Sequence, residues 1–190
     1  MKRIVITTES GTDLPAERAQ ALDIRIIPMW VVTEGRSRQD GSFPAGEVFT
    51  YYKKTKTVPS TSAVNPQEYM EFFKELRREK PDADILHIAY SSKASSTWQN
   101  ASIAIKELND PGIFLADSLN VSGGISLICE KAAQIAGRAA DGKAALEELE
   151  SWIRRARVTF LPDSLEFLKA GGRVSNAAYL GASLLQLKPQ

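Results

Sequence analysis

The chain has 190 residues, 43% of them hydrophobic, and its 24 basic and 23 acidic residues give a formal net charge of +1. This length suits one large domain, or one domain and part of another, with enough apolar residues for a core. Because no basic stripe interrupts the mixed charges, nucleic acids and anionic membrane surfaces are disfavoured as partners. The single cysteine, Cys129, cannot form an internal disulfide, and no run is apolar enough for a signal peptide or a membrane span. We therefore expect a soluble, cytoplasmic protein without membrane insertion.

Hydrophobic periodicity in the first half of the chain alternates between strand and helix. Residues 3–8 predict a short buried strand, and Pro15 opens a helix that runs to about Leu22. The β-branched and aromatic run 24–32 predicts a second strand, in which Pro28 indicates an edge or a bulge. The following elements are a turn over 34–41, a short helix over 44–54, a loop over 55–65 and an amphipathic helix over 66–80.

The second half continues this alternation. Residues 84–90 and 112–118 predict the third and fourth strands. Two amphipathic helices are expected over 125–140 and 143–156, and the apolar run 157–162 predicts a fifth strand. Strands that alternate with helices in this way predict an α/β protein of three layers, α/β/α, with a mainly parallel sheet.

The pattern changes near residue 161. A helix begins after Ser164 and breaks at Gly171 and Gly172, and a second helical stretch then runs toward the final Lys-Pro-Gln. We expect an α/β/α domain over 1–160 and, over 161–190, the beginning of a second α/β domain that stops before it is complete.

Small polar residues are concentrated where predicted strands or loops lead into helices. Five of the seven residues from Ser91 to Thr97 carry a hydroxyl. The carboxyl ends of parallel strands meet at one edge of the sheet, where helix N-termini present unpaired N–H groups, so we expect a site there for a carboxylate or phosphate. Helix capping is the competing interpretation, because Ser, Thr and Asp are preferred caps. The other members of this group are Glu9, Ser10, Thr61, Ser62, Asp117 and Ser118.

Signs of catalysis are weak. The single histidine, His87, shares a strand face with Ile85 and Ala89, which favours a role in the core. Because the chain lacks a G-x-S-x-G elbow, a P-loop and a metal-ligand cluster, we expect neither a catalytic residue nor a metal. For Gly171, Gly172 and Arg173 two interpretations stay open, an ordinary helix C-cap and a contact with an anion or a partner.

These segments, taken together, resemble the DegV family of bacterial fatty-acid-binding proteins. The chain departs from the usual family pattern at Glu9, where Asp is common, and at Ala63, Val64, Ala94 and Ser96. The matching segments, in family order, are TESGTDLP (8–15), Pro28, QDG (39–41), VPSTSAVNP (58–66), AYSSKASSTWQNA (89–101), ADSLNVSGG (116–124) and LEFLKAGGRVS (165–175).

The resemblance implies a non-catalytic carrier whose ligand is a long-chain fatty acid and which needs no cofactor. Such a carrier presents the acid to a separate fatty acid kinase subunit, which converts it to an acyl phosphate. The family pattern places the carboxylate on Thr61, Ser62, Ser91 and Ser92. It places Gly171, Gly172 and Arg173 near the head group or the partner, and Glu9, Ser10, Asp117 and Ser118 form a further strand-end group.

Two alternatives come from other functional classes. The first is an enzyme that acts on a small phosphorylated or carboxylated substrate through Asp117 or Ser92, since the related fold of dihydroxyacetone kinases binds such compounds. The second is a partner-binding protein without a ligand, which an exposed apolar patch near Ala182 to Leu187 would favour.

Overall fold

Strands and helices alternate along the chain, as the apolar periodicity predicts. The computed structural model describes residues 1–184. The strands are β1 (Ile4–Glu9), β2 (Arg25–Ile27), β3 (Trp30–Thr33), β4 (Arg36–Gln39), β5 (Ser60–Ser62), β6 (Asp84–Ala89) and β7 (Ile113–Asp117). The helices are α1 (Ala16–Ala21), α2 (Gly46–Thr55), α3 (Pro66–Glu79), α4 (Thr97–Leu108), α5 (Gly123–Ala136), α6 (Gly142–Ile153), α7 (Glu166–Ala170) and α8 (Asn176–Leu184).

Four strands form a central sheet in the order β2-β1-β6-β7, and all neighbours run parallel. Strand β6 is buried along its whole length, as expected for a central strand that is covered on both faces. Thr8 lies opposite Ile88, and Ala89 lies opposite Asp117, so β1, β6 and β7 end at the same edge. This sheet confirms the predicted parallel α/β architecture and brings together the residues that follow its strands.

Helices cover both faces of the central sheet and complete the three layers. On one face, Ile125 and Ile128 of α5 and Leu149 of α6 pack against sheet residues such as Leu86. On the other face, α3 and α4 form a second buried cluster, which includes Tyr69. Within residues 1–184 no helix is long and apolar enough to cross a membrane.

Pro28 divides the predicted second strand into two strands that belong to different sheets. The prediction of one strand over 24–32 was therefore wrong, because a proline cannot donate a ladder hydrogen bond and the chain changes direction there. Strand β3 instead pairs antiparallel with β4 and β5 in the order β4-β3-β5. The turn between β3 and β4 has positive φ at Glu34 and Gly35, which is the geometry of a tight hairpin.

Two further predictions of secondary structure were wrong. Strand β5 lies inside the predicted loop 55–65, and its polar Ser-Thr-Ser sequence concealed it because it is a short, exposed edge strand. The predicted fifth strand over 157–162 has no regular structure, and Phe160 is 54% exposed. An apolar run forms a strand only where it can pair with a free edge, and this run lies on the surface instead.

The segment after residue 161 docks on α2 and on the loop before α4. The ring of Tyr52 lies 4.9 Å from that of Phe167, and the Tyr52 hydroxyl donates to Glu166. Gly172, with φ of +76°, interrupts the two helices where the sequence predicts a break. The two-domain division at 160 stays a prediction, since residues 185–190 lie outside the described residues. They include Leu185, Gln186 and Leu187 of the predicted apolar patch near Ala182 to Leu187, which stays a prediction as well.

Gly142, the first residue of α6, has no room for a side chain. A Cβ there would lie 2.5 Å from two ring carbons of Phe114 and 2.9 Å from Cβ of Asp84. We expect Gly142→Ala to lower the free energy of unfolding by about 1–3 kcal/mol, because the overpacked ring and strand must shift. Urea denaturation measures this loss. Gly123→Ala at the first position of α5, where a Cβ meets no atom within 4 Å, is the matched control, and an equal loss in both variants would contradict the steric explanation.

Candidate functional site

The loops after β6 and β7 are joined at the carboxyl edge of the central sheet. Oδ1 of Asp117 accepts hydrogen bonds from the N–H groups of Ser92 and Leu119, each at 3.1 Å. Ser118 is fully buried, and its hydroxyl bonds to the backbone of Asn120. The predicted groups at Ser91–Ser92 and Asp117–Ser118 thus do come together, with Asp117 and Ser118 holding the loops in place.

Hydrogen bonds within the loop use part of the hydroxyl row. The Ser91 hydroxyl accepts from the N–H of Lys93 at 3.3 Å, and the Ser95 hydroxyl bonds to the hydroxyl and the N–H of Thr97. Ser92 and Ser96 make no side-chain hydrogen bond within residues 1–184, although Ser96 occupies the N-cap position of α4. Hydrogen bonds within the loop therefore account for three of the five hydroxyls, and the hydroxyls of Ser92 and Ser96 remain available.

Glu9 points into the core rather than into the strand-end crevice. It is only 1% exposed, and its Oε1 accepts from the Tyr69 hydroxyl and from Nε2 of His87 at 2.8 Å. Its Oε2 accepts from the N–H of Tyr90 at 2.9 Å. Ser10, the next residue, is also used by the chain, since its hydroxyl accepts from the N–H of Met29 at 3.0 Å. Both carboxylate oxygens of Glu9 thus accept hydrogen bonds from the protein itself.

The surroundings of Glu9 determine its charge. Burial alone would raise the pKa of Glu9, but the charge of His87 and hydrogen bonds from His87, Tyr69 and the Tyr90 N–H outweigh burial and hold it below the ordinary 4.5. Burial, followed by the negative charge of Glu9, raises the pKa of Tyr69 well above its usual range. At neutral pH a carboxylate therefore lies beside a neutral phenol in the core.

His87 is a core residue, as its place in the strand predicts. It is fully buried, its Nδ1 lies 2.8 Å from the Thr7 hydroxyl, and its ring makes edge contacts with Tyr69 and Phe73. Sequence reasoning missed its bond to Glu9. An acid at the end of a β-branched run that predicts a buried strand was the only available signal for this buried cluster.

Thr61 and Ser62 lie on the exposed edge strand β5, opposite Val31 and Trp30 of β3. Successive strand side chains point to opposite faces, so only one of the two hydroxyls can face a given ligand. No hydrogen bond within residues 1–184 joins them to Ser91 or Ser92. The segment is nevertheless attached to α4, because the side-chain amide of Asn100 donates to the carbonyl of Val64 at 2.7 Å.

Arg173 brings a positive charge to the hydroxyl-rich loop. Its guanidinium donates to the carbonyl of Gly171 at 2.5 Å and, across 79 residues of sequence, to that of Ala94 at 3.4 Å. Burial and the charge of Asp13 raise the pKa of Tyr90, and the positive charge of Arg173 acts in the opposite direction. The bond to Gly171 agrees with the helix C-cap interpretation, and the contact with an anion or a partner stays a prediction.

Similarity to known proteins identifies the family of this chain. A family model described as "Uncharacterised protein, DegV family" matches residues 3–189. The chain belongs to the DegV family. A DegV domain-containing protein of Caldanaerobacter subterraneus is 30% identical over 189 residues, which are 100% of this chain and 67% of the relative. A fatty acid-binding protein of Thermotoga maritima is 29% identical over an alignment of 192 positions, which covers 98% of this chain and 66% of the relative.

A solved DegV-family structure has the same fold. A protein from Thermus thermophilus, described for its fatty acid binding, matches with a TM-score of 0.85 and 31% identity. The match covers 98% of this chain and 66% of that structure. The chain thus spans about two thirds of the length of the DegV relatives it matches.

The geometry sorts the predicted site residues of this DegV-family chain into three groups. Ser92 and Arg173 adjoin one loop and have capacity for an anion. Thr61 and Ser62 are exposed on β5, the strand that precedes α3 in the chain. The remaining predicted residues that carry a hydroxyl or a carboxylate are engaged with the protein itself, namely Glu9, Ser10, Ser91, Asp117 and Ser118.

Proposed function

We propose that this chain binds a long-chain fatty acid, holds its carboxylate on Thr61 and Ser92 beside Arg173, and presents it to a separate fatty acid kinase. Ser62 and Ser91 take no direct part in this proposal, since Ser62 faces away from Thr61 and the Ser91 hydroxyl bonds within its own loop. Gly171 and Gly172 shape the turn that carries Arg173. The observation that carries the proposal is the position of the Arg173 guanidinium against the loop of Ser92. Fatty acid binding by the similar Thermus and Thermotoga proteins supports it.

A carboxylate leaving water needs several short donors in place of its hydration shell. The Ser92 hydroxyl makes no hydrogen bond within residues 1–184, and the side chain of Ser96 does not cap the first N–H groups of α4. Hydroxyls and helix N–H groups bind a carboxylate well, because hydrogen bonds to a charged acceptor are stronger than neutral ones.

The alkyl chain supplies most of the binding free energy in this proposal. Each buried methylene contributes about 0.8 kcal/mol. The N–H groups of Leu119 and Ser92 both donate to the Asp117 carboxylate. Leu119 is 48% exposed and offers an apolar surface next to the head group. A bound acyl chain would cover this surface.

The position of Asp117 favours a carrier over the alternative of an enzyme. Its Oδ1 already accepts hydrogen bonds from two backbone N–H groups, so the carboxylate holds the two loops together and is not free to act as a general base. In the proposed reaction the kinase transfers the γ-phosphoryl group of ATP to an oxygen of the fatty carboxylate, which yields acyl phosphate and ADP. This chain contributes the substrate and no catalytic group.

Native mass spectrometry tests the proposal. The purified chain is measured as isolated and after incubation with palmitic or oleic acid, and solvent extraction identifies any molecule that is released. We expect a mass increment of one fatty acid per chain. A chain that stays free of lipid after incubation with either acid would overturn the proposal.

Arg173→Ala separates lipid binding from transfer to the kinase. We expect oleic acid binding to fall by no more than about threefold, since an exposed charge contributes little to affinity, whereas kinase-dependent acyl phosphate formation falls at least about tenfold. Titration calorimetry and an ADP-release assay with a purified fatty acid kinase measure the two effects. Arg36→Ala, at an exposed arginine of β4, should change neither. Loss of lipid binding itself in Arg173→Ala would contradict the proposed role.

A further inference from the structure

The buried carboxylate of Glu9 is bonded to both segments that lead to the proposed carboxylate site. We infer that Glu9 is a positioning residue, which holds the loop of Ser92 and the helix that follows Thr61 in their binding arrangement without touching the ligand. This inference rests on the proposed function, because it names a residue on which that same site depends.

The first connection runs through Tyr90. This residue links the last residue of β6 to Ser91, and its N–H donates to Oε2 of Glu9 at 2.9 Å. The next N–H, that of Ser91, donates to the carbonyl of Asn120 at 3.2 Å. Two successive backbone bonds therefore set the direction in which the chain enters the hydroxyl-rich loop, and one of them ends on Glu9.

The second connection runs through Tyr69 in the first turns of α3. Its hydroxyl donates to Oε1 of Glu9, and its side chain is fully buried. Helix α3 begins four residues after Ser62, and Asn65 caps it by accepting from the N–H of Glu68 at 3.0 Å. The Glu68 carboxylate in turn accepts from the indole of Trp30, which pairs with Ser62. Glu9 therefore fixes the helix to which β5 and β3 are attached.

The cluster around Glu9 is buried and fully hydrogen-bonded within the chain. Glu9, Tyr69 and His87 are each at most 1% exposed, and His87 is held in turn by the Thr7 hydroxyl. Oε1 has two donors and Oε2 has one, so a side chain with only one accepting oxygen cannot satisfy both sides. Glutamine has nearly the same shape as glutamate but donates through its nitrogen, which makes Glu9→Gln the appropriate test.

We expect Glu9→Gln to bind oleic acid about tenfold more weakly than the unchanged chain, which corresponds to the loss of one charged hydrogen bond. Titration calorimetry measures the affinity. In the lipid-free protein, ¹H–¹⁵N spectra should show displaced amide resonances for Tyr90, Ser91 and Ser92. The matched control is Ile135→Val, a mildly destabilising change in a fully buried residue near the far end of α5. It should leave both the affinity and these resonances unchanged.

The outcomes separate this inference from the proposed function. If the unchanged chain binds oleic acid and Glu9→Gln binds it equally well, the positioning role is overturned and the proposed function stands. If the unchanged chain binds no fatty acid, the proposed function fails, and unmoved resonances of Tyr90 to Ser92 would overturn the positioning role separately. If Glu9→Gln does not fold, Tyr69→Phe replaces it, since this variant releases α3 but keeps the Tyr90 bond. We then expect affinity about threefold weaker, and unchanged affinity would overturn the inference.

Discussion

Changing Thr61 to Val and Ser92 to Ala in one chain is expected to weaken oleic acid binding by at least about a hundredfold. Each substitution nearly preserves the volume of the side chain and removes one hydroxyl. A hydrogen bond to a charged group contributes about 1.5–3 kcal/mol, and 1.4 kcal/mol corresponds to a factor of ten in affinity. Titration calorimetry with the single and double variants shows whether the two losses add.

The matched control uses two hydroxyls from the same segments. Ser60 neighbours Thr61 on β5 but points to the other face, and Ser96 is an exposed member of the hydroxyl row. The variant with Ser60→Ala and Ser96→Ala should bind oleic acid as the unchanged chain does. Equal affinity of the Thr61 and Ser92 double variant and the unchanged chain would place the head group elsewhere.

Removal of the Glu9 side chain is expected to lower the free energy of unfolding by about 3–5 kcal/mol. In Glu9→Ala the Tyr69 hydroxyl, the His87 ring and the Tyr90 N–H lose their common acceptor in a site that excludes water. Urea denaturation at neutral pH measures the loss. Glu107→Ala, at an exposed position of α4, should change stability by less than about 0.5 kcal/mol. Similar losses in both variants would contradict the buried network.

The same variant should alter the response to acid. Because the pKa of Glu9 is lower in the folded chain than its ordinary 4.5, its ionic stabilisation is present above pH 4.5 and is lost as the pH falls through the folded value. Urea midpoints of the unchanged chain should therefore fall more steeply below pH 4.5 than those of Glu9→Ala. Parallel curves would show that other carboxylates, such as Glu130 and Glu148, account for the acid sensitivity.

The predictable parts of the fold depend on signals that are local in sequence. Asn65 and Pro66 mark the start of α3, and the spacing of Tyr69, Phe73 and Leu76 gives its buried face. Strand β5 has no such signal, because an exposed edge strand needs no apolar alternation. The apolar run 157–162 has a strand-like composition but forms no strand. A strand must pair with a free sheet edge, and composition does not reveal whether such an edge is in reach.

The candidate site also has one part that the sequence reveals and one part that depends on the fold. The hydroxyl row from Ser91 to Thr97 is visible in the sequence because its members are adjacent. The buried cluster joins Glu9 to Tyr69 and His87 across 60 and 78 residues, and it exists because the parallel register places Thr7 opposite His87. A strand register shifted by one residue would turn His87 to the other face, so this contact could not be read from residue types alone.

Under the proposed function, the bond between Arg173 and the carbonyl of Ala94 couples the binding of the fatty acid to the docking of the segment that carries Arg173. An anion at Ser92 would favour the arrangement in which the guanidinium lies on the loop, and that arrangement would raise the affinity for the anion by the same factor. Hydrogen exchange should therefore report lipid binding at Gly171 to Val174, far along the chain from the hydroxyls. By this reciprocity, a partner that binds Arg173 away from the loop would weaken fatty acid binding by no more than about threefold, the loss expected for Arg173→Ala.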